Sequence, residues 1–353
     1  MERFSSVASS LFPVADHMIP TREPAPFTTK HATASILMQH SELERGVSVI
    51  VPVYNGSQTL ADLARRVAEV MNHAGLPFEV IFVNDGSADD SWTTLQQLVE
   101  GCSFVRAVDL MRNYGQHNAI LCGLRLARYD VSITMDDDLQ NPPEEIPKLL
   151  AELDAGFDVV YGVPAEQQHS FSRNLASEIT KVTLSGAMGA SAARNASAFR
   201  AIRTRLRDGF VSYRGPWVFI DALLTWSTNR FGSVRVRHEP RKLGRSGYSF
   251  LRLLKHGMNM MTGFSALPLQ VASIVGFTFT LFGILLLAYV LVRYFMNGFS
   301  VPGFPFLASM IAIFSGAQMF AIGIIGEYLA RMHFRSMGQP AATIREIMEH
   351  GRE

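Results

Sequence analysis

A run of acidic residues near the middle of the chain has the residue types that hold divalent metal ions. Asp136, Asp137 and Asp138 are consecutive, and Leu-Gln-Asn-Pro-Pro-Glu-Glu follows them at 139–145. The run comes directly after the strand-like residues 131–135, although adjacent carboxylates repel one another and Asp is unfavourable in strands. Carboxylates clustered at the end of a strand could hold a hard cation and, with it, a diphosphate. A solvated acidic loop remains the alternative when this run is considered alone.

Three further polar clusters follow strand-like runs in the same way. They occupy residues 52–55 (Pro-Val-Tyr-Asn), 84–87 (Asn-Asp-Gly-Ser) and 112–116 (Arg-Asn-Tyr-Gly-Gln). One Asp-Gly after a strand is usually only a turn. In a parallel sheet, however, the carboxyl ends of the strands share one edge, and ligands bind beyond that edge. Four polar clusters at such ends therefore predict one binding site.

The segments that must position these clusters alternate between strand and helix patterns. Apolar runs rich in β-branched residues predict strands at 47–53, 78–83, 104–110, 131–135 and 158–161. Helical spacing predicts helices over 60–71, around 92–99 and over 116–127, the first with Ser57 as its N-cap and Gly75 at its end. This alternation is typical of a mostly parallel, doubly wound α/β sheet. The chain has no GxGxxG and no Walker sequence, which argues against dinucleotide and P-loop NTPase sites.

Charge and cysteine content exclude some classes of function. The chain has 353 residues and a formal net charge of +1, which provides no overall attraction to nucleic acid. The charges are nevertheless unevenly distributed along the chain. Residues 235–255 contain seven Lys or Arg residues and a single acidic residue, Glu239. The only cysteines are Cys102 and Cys122, which indicates a reducing compartment and no disulfide framework.

Two apolar runs near the C-terminus are long enough to cross a membrane. Residues 267–292 and 304–326 contain no charged side chain, and each run exceeds the about 20 residues that span a bilayer core. Basic residues precede the first run and follow the second, so the positive-inside rule places both ends in the cytoplasm. Two buried core helices of a soluble protein are the alternative, which is weak for two such runs in tandem.

The predicted organisation has five parts. Residues 1–45 lack the apolar stretch of a signal peptide and are expected to form a disordered leader. The α/β domain occupies 46–234, and a basic juxtamembrane amphipathic segment at 235–266 suits an interfacial helix on anionic lipid. A transmembrane hairpin at 267–330 and a cytosolic tail at 331–353 complete the chain.

As a set, these motifs resemble the family 2 glycosyltransferases, and among them the branch that acts on polyprenyl phosphates. The matching segments, in chain order, are 51–55, 83–87, 112–120, 136–144, 241–248 and 326–331. The resemblance implies a GT-A fold, which is a Rossmann-like cytosolic domain, followed by interfacial helices and two transmembrane helices. It also implies a catalytic domain that works at the cytoplasmic face of a bacterial inner membrane, and in some relatives a homo-oligomer.

The resemblance assigns the donor side of the site residue by residue. It places Mg²⁺ or Mn²⁺ at Asp136, Asp138 and Gln140, which are all hard oxygen donors. The nucleotide-sugar would contact Pro52, Tyr54, Asn55, Asp85, Gly115, Gln116 and Asp136. Asp85 could instead only cap the helix that follows it. Asp137 is left as a candidate base or orienting group, and is counted as catalytic together with Asp136 and Asp138.

The acceptor side follows from the same resemblance. Arg173 and Ser177 are four residues apart, so they share a face of the helix predicted over 173–188. The family places such a pair at the lipid phosphate. The further residues assigned to the lipid phosphate or the diphosphate are Arg200, Arg241, Arg245 and Ser246.

The function implied is inverting transfer of one sugar from a UDP- or GDP-sugar to polyprenyl phosphate, with membrane lipid as a further partner and no nucleic acid. One departure from the family pattern weakens this functional interpretation. Relatives carry a carboxylate shortly before the pair Phe199-Arg200, whereas residues 194–198 of this chain supply none. A catalytically weak nucleotide-sugar-binding membrane scaffold is therefore one alternative. A processive polysaccharide synthase is the other, although that class normally needs more membrane spans and a Gln-x-x-Arg-Trp motif that neither Trp217 nor Trp226 supplies.

Overall fold

A computed structural model describes residues 43–165, 195–215, 218–239, 267–297 and 303–351. The predicted leader lies almost wholly outside these residues, and so does most of the predicted juxtamembrane segment. The five-part domain organisation stays a prediction.

The strands of the described residues form one mixed sheet of eight strands. Their order across the sheet is β7-β5-β6-β4-β1-β2-β3-β8. The pairs β1–β2, β1–β4, β2–β3 and β5–β7 are parallel, whereas β6 runs antiparallel between β4 and β5, and β8 runs antiparallel along β3. The strands are β1 Glu44–Val53, β2 Phe78–Asn84, β3 Val105–Leu110, β4 Tyr129–Thr134, β5 Val159–Pro164, β6 Arg200–Arg203, β7 Phe231–Val236 and β8 Ile344–Glu349. The predicted mostly parallel α/β sheet is therefore confirmed.

Helices cover both faces of the sheet, because the central strands β1, β2, β3 and β4 bury side chains on both sides. In the part of the chain that the structure describes, the helices are α1 Leu60–Ala74, α2 Ser91–Gly101, α3 Gln116–Leu126, α4 Ile146–Asp154, α5 Ile220–Leu224, α6 Leu267–Asn297 and α7 Phe304–Ser336. Buried residues of α1, α2 and α4 form one apolar cluster, and those of α3 and α5 form a second. Short 3-10 turns lie at Pro143–Glu145 and Thr204–Phe210.

The start of α1 differs from its prediction, whereas its end agrees. The N-cap is Thr59 rather than Ser57, and the Thr59 hydroxyl donates to the carbonyl of Gly56 at 3.0 Å. The backbone N–H of Ser57 donates instead to Asp89 at 3.2 Å, which ties this loop to the one after β2. Gly75 ends the helix with a φ of 64°, a left-handed conformation that glycine adopts without strain.

The two long C-terminal helices pack against each other as an antiparallel pair. Phe279 and Phe314 meet edge to face with ring centroids 5.8 Å apart, and the Tyr328 side chain is hydrogen-bonded to the backbone of Leu269. Apolar stretches at Pro268–Arg293 and Ile313–Phe334 are long enough to cross a membrane, and neither stretch is buried in the protein. Apolar surface of this extent is stable when lipid covers it.

The sheet contains a last strand that the sequence did not predict. β8 follows α7 and covers the edge of β3, so residues assigned to a cytosolic tail belong to the sheet. β8 begins beside the carboxyl end of β3, where Ile344 pairs with Leu110. β7 is parallel to β5 and ends at the same edge of the sheet. The chain therefore leaves the sheet before the two long helices, and re-enters it after them, at the same carboxyl edge.

Candidate active site

A cleft of about 480 Å³ lies at the carboxyl edge of the sheet. All four polar clusters that the sequence singled out contribute to its lining. The lining residues are Pro52, Val53, Tyr54, Asp85, Asn113, Gly115, Gln116, Asp136, Asp137, Asp138 and Gln140. The clusters converge because β1, β2, β3 and β4 are mutually parallel and adjacent, so each strand delivers its following loop to the same place.

The first loop turns sharply after β1. Asn55 has a φ of 55°, which Asn tolerates better than most residues. Its side-chain oxygen accepts from the N–H of Ala88 at 2.8 Å, and its own N–H donates to Ser87 at 3.0 Å. Asn55 therefore joins the loops after β1 and β2, whereas Pro52 and Tyr54 line the cleft.

Asp85 holds the third loop in position. It is 3% exposed, and its two carboxylate oxygens accept from the N–H groups of Tyr114 and Gly115 at 2.7 and 2.8 Å. Burial raises the pKa of Asp85, and these two hydrogen bonds act in the opposite direction. The N-cap of the following helix α2 is Asp90, so capping α2 is not the role of Asp85. Asp85 determines where the backbone at Gly115 meets the cleft.

Gln116 connects the third loop to the acidic run. Its side-chain amide donates to Asp136 Oδ1 at 2.5 Å, at the start of α3. Gly115, with a φ of 97°, permits the chain to turn from the loop into that helix. The side chains of Gln116 and Asp136 thus bring the loops after β3 and β4 together at the rim of the cleft.

The acidic run is anchored by a buried leucine. Leu139 has a φ of 59° and is 3% exposed, packed in the apolar cluster beneath the loop. A bulky residue in this left-handed region is strained, and such strain is concentrated at functional sites. Asp138 Oδ1 accepts from the N–H of Gln140 at 3.1 Å across this turn. Leu139 therefore anchors the turn between Asp138 and Gln140, two residues that line the cleft.

Asp137 is half-buried and lines the cleft, like Asp136 and Asp138. Burial, followed by the charges of Asp136 and Asp138, raises its pKa to about 7, although a hydrogen bond from the backbone of Tyr54 opposes the change. Its Oδ2 atom is buried without a hydrogen-bond partner among the described residues. The same atom lies against Gly56, where an added Cβ would overlap it. Asp137 thus packs under the first loop.

The residues present fit a divalent cation. The described lining holds four carboxylates and no Lys or Arg, so an anionic diphosphate would be repelled unless a cation accompanied it. Within the described residues, no three His, Cys, Asp or Glu side chains form a metal site by themselves. A cation at Asp136 and Asp138 would therefore complete its shell with Gln140, water or phosphate oxygens, as Mg²⁺ and Mn²⁺ commonly do.

The far wall of the cleft is joined to the chain that leaves β7. The N–H of Glu239 donates to the carbonyl of Gln140 at 2.8 Å, and Arg237 Nε donates to Glu145 at 2.8 Å. Glu145 is 2% exposed, so its charge is held where Arg237 can neutralise it. The sequence did not predict these contacts, since alternating charges near a membrane segment also occur on solvated faces.

Arg200 occupies a different environment from the one that the resemblance implied. The residue is 1% exposed, and its guanidinium forms an ion pair with Asp221 and donates to Thr134 at 3.1 Å. The Tyr161 hydroxyl donates to the same carboxylate at 2.8 Å. Arg200 is thus a core residue beneath the acidic run and does not line the cleft. Sequence reasoning missed Asp221, for which a lone Asp near an apolar run was the only signal.

Five of the residues predicted for the acceptor lie outside the described residues. They are Arg173, Ser177, Arg241, Arg245 and Ser246, together with the helix predicted over 173–188. Their assignment stays a prediction.

Comparison with known proteins identifies a matching family and several similar chains. The model of the family described as Glycosyl transferase family 2 matches residues 48–214. An undecaprenyl-phosphate 4-deoxy-4-formamido-L-arabinose transferase of Pseudomonas savastanoi pv. phaseolicola is 36% identical over 310 residues, which cover 87% of this chain and 92% of that protein. A transferase of the same name from Enterobacter sp. is 33% identical over 308 residues, covering 86% of this chain and 94% of that protein.

Among solved structures, glucosyl-3-phosphoglycerate synthase from Mycobacterium tuberculosis is similar at a TM-score of 0.48 and 16% identity. The alignment covers 62% of this chain and 79% of that one.

Proposed function

The chain belongs to glycosyl transferase family 2 and is a glycosyltransferase, and on this premise we propose that it transfers one sugar from a nucleotide-diphosphate sugar to undecaprenyl phosphate. The acceptor is the one in the names of its relatives, which align with most of this chain. The donor would be a UDP- or GDP-sugar. The two long apolar helices would anchor the enzyme in the bacterial inner membrane, with the α/β domain on the cytoplasmic side.

One observation carries the proposal. The cleft that collects all four polar clusters lies at the edge of the sheet from which the chain leaves for the hairpin and to which it returns. Seven residues separate the end of α7 at Ser336 from the start of β8 at Ile344, and they span at most about 25 Å. The hairpin therefore holds the cleft edge of the sheet close to the membrane, where a lipid-linked acceptor is found.

The proposed reaction is a single displacement at the anomeric carbon of the sugar. An oxygen of the lipid phosphate forms the new bond to that carbon, the bond from the carbon to the diphosphate oxygen breaks, and its electron pair leaves with the nucleoside diphosphate. The second pKa of a phosphate monoester is about 6, so the nucleophile is already ionised near neutral pH. A strong general base is therefore not required, and attack from the opposite side inverts the configuration.

The protein's contribution would be mainly to orient the two anions. Asp85 fixes the backbone of the third loop, which would support the nucleotide together with Pro52 and Tyr54. Asp136, Asp138 and Gln140 would hold Mg²⁺ or Mn²⁺, which supplies positive charge to the departing diphosphate. Asp137 is better suited to supporting the first loop than to proton transfer, because it packs against Gly56.

On the acceptor side, the proposal assigns the lipid phosphate to Arg173, Ser177, Arg241, Arg245 and Ser246. This assignment rests on the resemblance to the family and on the local excess of basic residues before the hairpin. Arg200 is left out, since it is already paired with Asp221 in the core.

The test is transfer by membranes that contain the protein. Labelled UDP- and GDP-sugars, with nucleotide-linked 4-deoxy-4-formamido-L-arabinose among them, are incubated with undecaprenyl phosphate and Mg²⁺ or Mn²⁺. Label should enter a lipid product only when metal and undecaprenyl phosphate are both present, and NMR of that product should report the inverted anomer. Binding of donors without any transfer would support the scaffold instead, and label in a water-soluble polymer would support a processive synthase.

A further inference from the structure

Among the described residues, the start of the C-terminal strand contacts a loop whose inner side lines the cleft, although the two segments are far apart in the sequence. Residues 343–345 follow the second long helix, more than 200 positions after the loop at 111–116 that they contact. The N–H of Met111 donates to the carbonyl of Thr343 at 3.0 Å. Hydrogen bonding to Thr343 also lowers the pKa of Tyr114. The outer side of this loop is therefore held by the end of the chain.

Arg345 makes the charged contact of this group. Its Nη1 donates to Asp109 Oδ2 at 2.8 Å, and its Nη2 donates to the carbonyl of Met111 at 3.1 Å. Asp109 is 2% exposed, and its other oxygen accepts from Asn84 at 2.7 Å. Arg345 thus neutralises a buried carboxylate at the end of β3 and, with the same guanidinium, holds the first residue of the loop.

The inner side of the same loop forms part of the cleft. Asp85 accepts from the N–H groups of Tyr114 and Gly115, and Gln116 donates to Asp136. The loop is thus fastened between Asp85 on the cleft side and residues 343–345 on the other side. A shift of its outer side would move Gly115 and Gln116, which line the cleft.

We propose that Arg345 is a positioning residue for the donor side of the active site. It acts through Asp109 and Met111 on the loop at 111–116 and does not touch the substrate. In this way the strand that returns from the membrane hairpin completes the wall of the donor site. The proposal deepens the function proposed above and rests on it only for the identity of the ligand.

The other end of β8 offers a matched control. Arg128 donates from Nη2 to both carboxylate oxygens of Glu349 at 2.7 Å. This contact lies at the amino edge of the sheet, since Glu349 is opposite Arg106 near the start of β3. Arg128→Ala therefore removes one ion pair of β8, as Arg345→Ala does, but far from the cleft.

The first readout needs no ligand. Hydrogen exchange is measured on the full-length protein in detergent for the wild type, Arg345→Ala and Arg128→Ala. The amides of Tyr114 and Gly115 should exchange about tenfold faster or more in Arg345→Ala, which corresponds to the loss of one charged hydrogen bond. They should be unchanged in Arg128→Ala. The proposal would be overturned if exchange of these two amides accelerated equally in both variants, or if it accelerated in neither. In either case β8 would be only a structural strand.

The second readout is binding of UDP and GDP with Mn²⁺, followed by kinetics with the donor that the wild type uses. Arg345→Ala should weaken nucleotide binding and raise the donor KM about tenfold, with the KM for undecaprenyl phosphate unchanged. Arg345→Lys keeps the charge but loses the contact to both Asp109 and Met111, so its donor KM should lie between those of the wild type and Arg345→Ala. If Arg345→Ala fails to fold, Arg345→Lys replaces it in both measurements.

The outcomes separate the two proposals. If the wild type binds neither nucleotide, the proposed function fails, whereas the exchange result still decides the role of Arg345. If the wild type binds nucleotide and Arg345→Ala binds it equally well, the positioning role alone is wrong.

Discussion

The carboxylate of Asp137 lies directly against Gly56, and its Oδ2 leaves no space for a Cβ there. The first loop and the acidic run are thus packed together by a glycine of the one and a carboxylate of the other. This contact explains why Asp137 Oδ2 is buried although the residue lines the cleft together with Asp136 and Asp138.

Gly56→Ala should damage the site without unfolding the protein. The new methyl group must displace Asp137 or the loop at 54–56, and a shift of about 1 Å at an active site can lower the rate about 100-fold. We expect kcat/KM for sugar transfer to fall between about tenfold and 100-fold. Gly101→Ala is the matched control, because a Cβ at Gly101 meets nothing within 4 Å. Wild-type activity in Gly56→Ala would contradict the packing role.

Asp138→Ala should remove the response to metal. The variant loses one of the two carboxylates proposed as ligands, so both Mn²⁺ binding and sugar transfer should fall about 100-fold or more. Glu144→Gln is the control from the same acidic segment, since Glu144 pairs with Arg66 at 2.6 Å and does not line the cleft. Binding of Mn²⁺ is followed by calorimetry. An Asp138→Ala variant with full activity would show that the metal ligands were assigned wrongly.

Arg200→Ala should act on stability. It leaves the buried Asp221 carboxylate without its cation, which costs about 3–5 kcal/mol when one partner of a buried pair is removed. A double variant with Arg200→Met and Asp221→Leu leaves no unpaired charge and should be less destabilised than Arg200→Ala. Thermal unfolding in detergent measures both. If Arg200→Ala unfolded like the wild type but bound undecaprenyl phosphate weakly, the acceptor role that the resemblance implied would be restored.

The two cysteines should react very differently near neutral pH. Burial raises the pKa of Cys122 to about 11, so its thiolate form is scarce until the pH approaches that value. Cys102 is only partly buried. A maleimide should therefore label one cysteine per native chain, as counted by mass spectrometry. Cys102→Ser should remain unlabelled until denaturant exposes Cys122, and labelling of that variant in its native state would contradict the burial of α3.

Local patterns predicted most of the elements well. Apolar runs and helical spacing placed β1 to β5 and the first three helices within a few residues, because those segments bury continuous apolar faces. Ser57 was the wrong N-cap because its N–H bonds Asp89, which is a contact between loops and not a property of the helix. β8 was missed because its residues, Ile-Arg-Glu-Ile-Met-Glu, are mostly exposed and form a strand only where the edge of β3 accepts them.

Local sequence patterns were sufficient to predict the class of fold, the convergence of four polar clusters and the two long apolar helices. These follow from periodicity and from the rule that parallel strands end at a common edge. The contacts of each polar side chain became known from the folded molecule alone. Asp85 holds a loop, Asp137 packs under Gly56, Arg200 is in the core, and Arg345 holds the outer side of a loop that lines the cleft. The physical reason is that burial and pairing depend on neighbours distant in sequence, which no local pattern specifies.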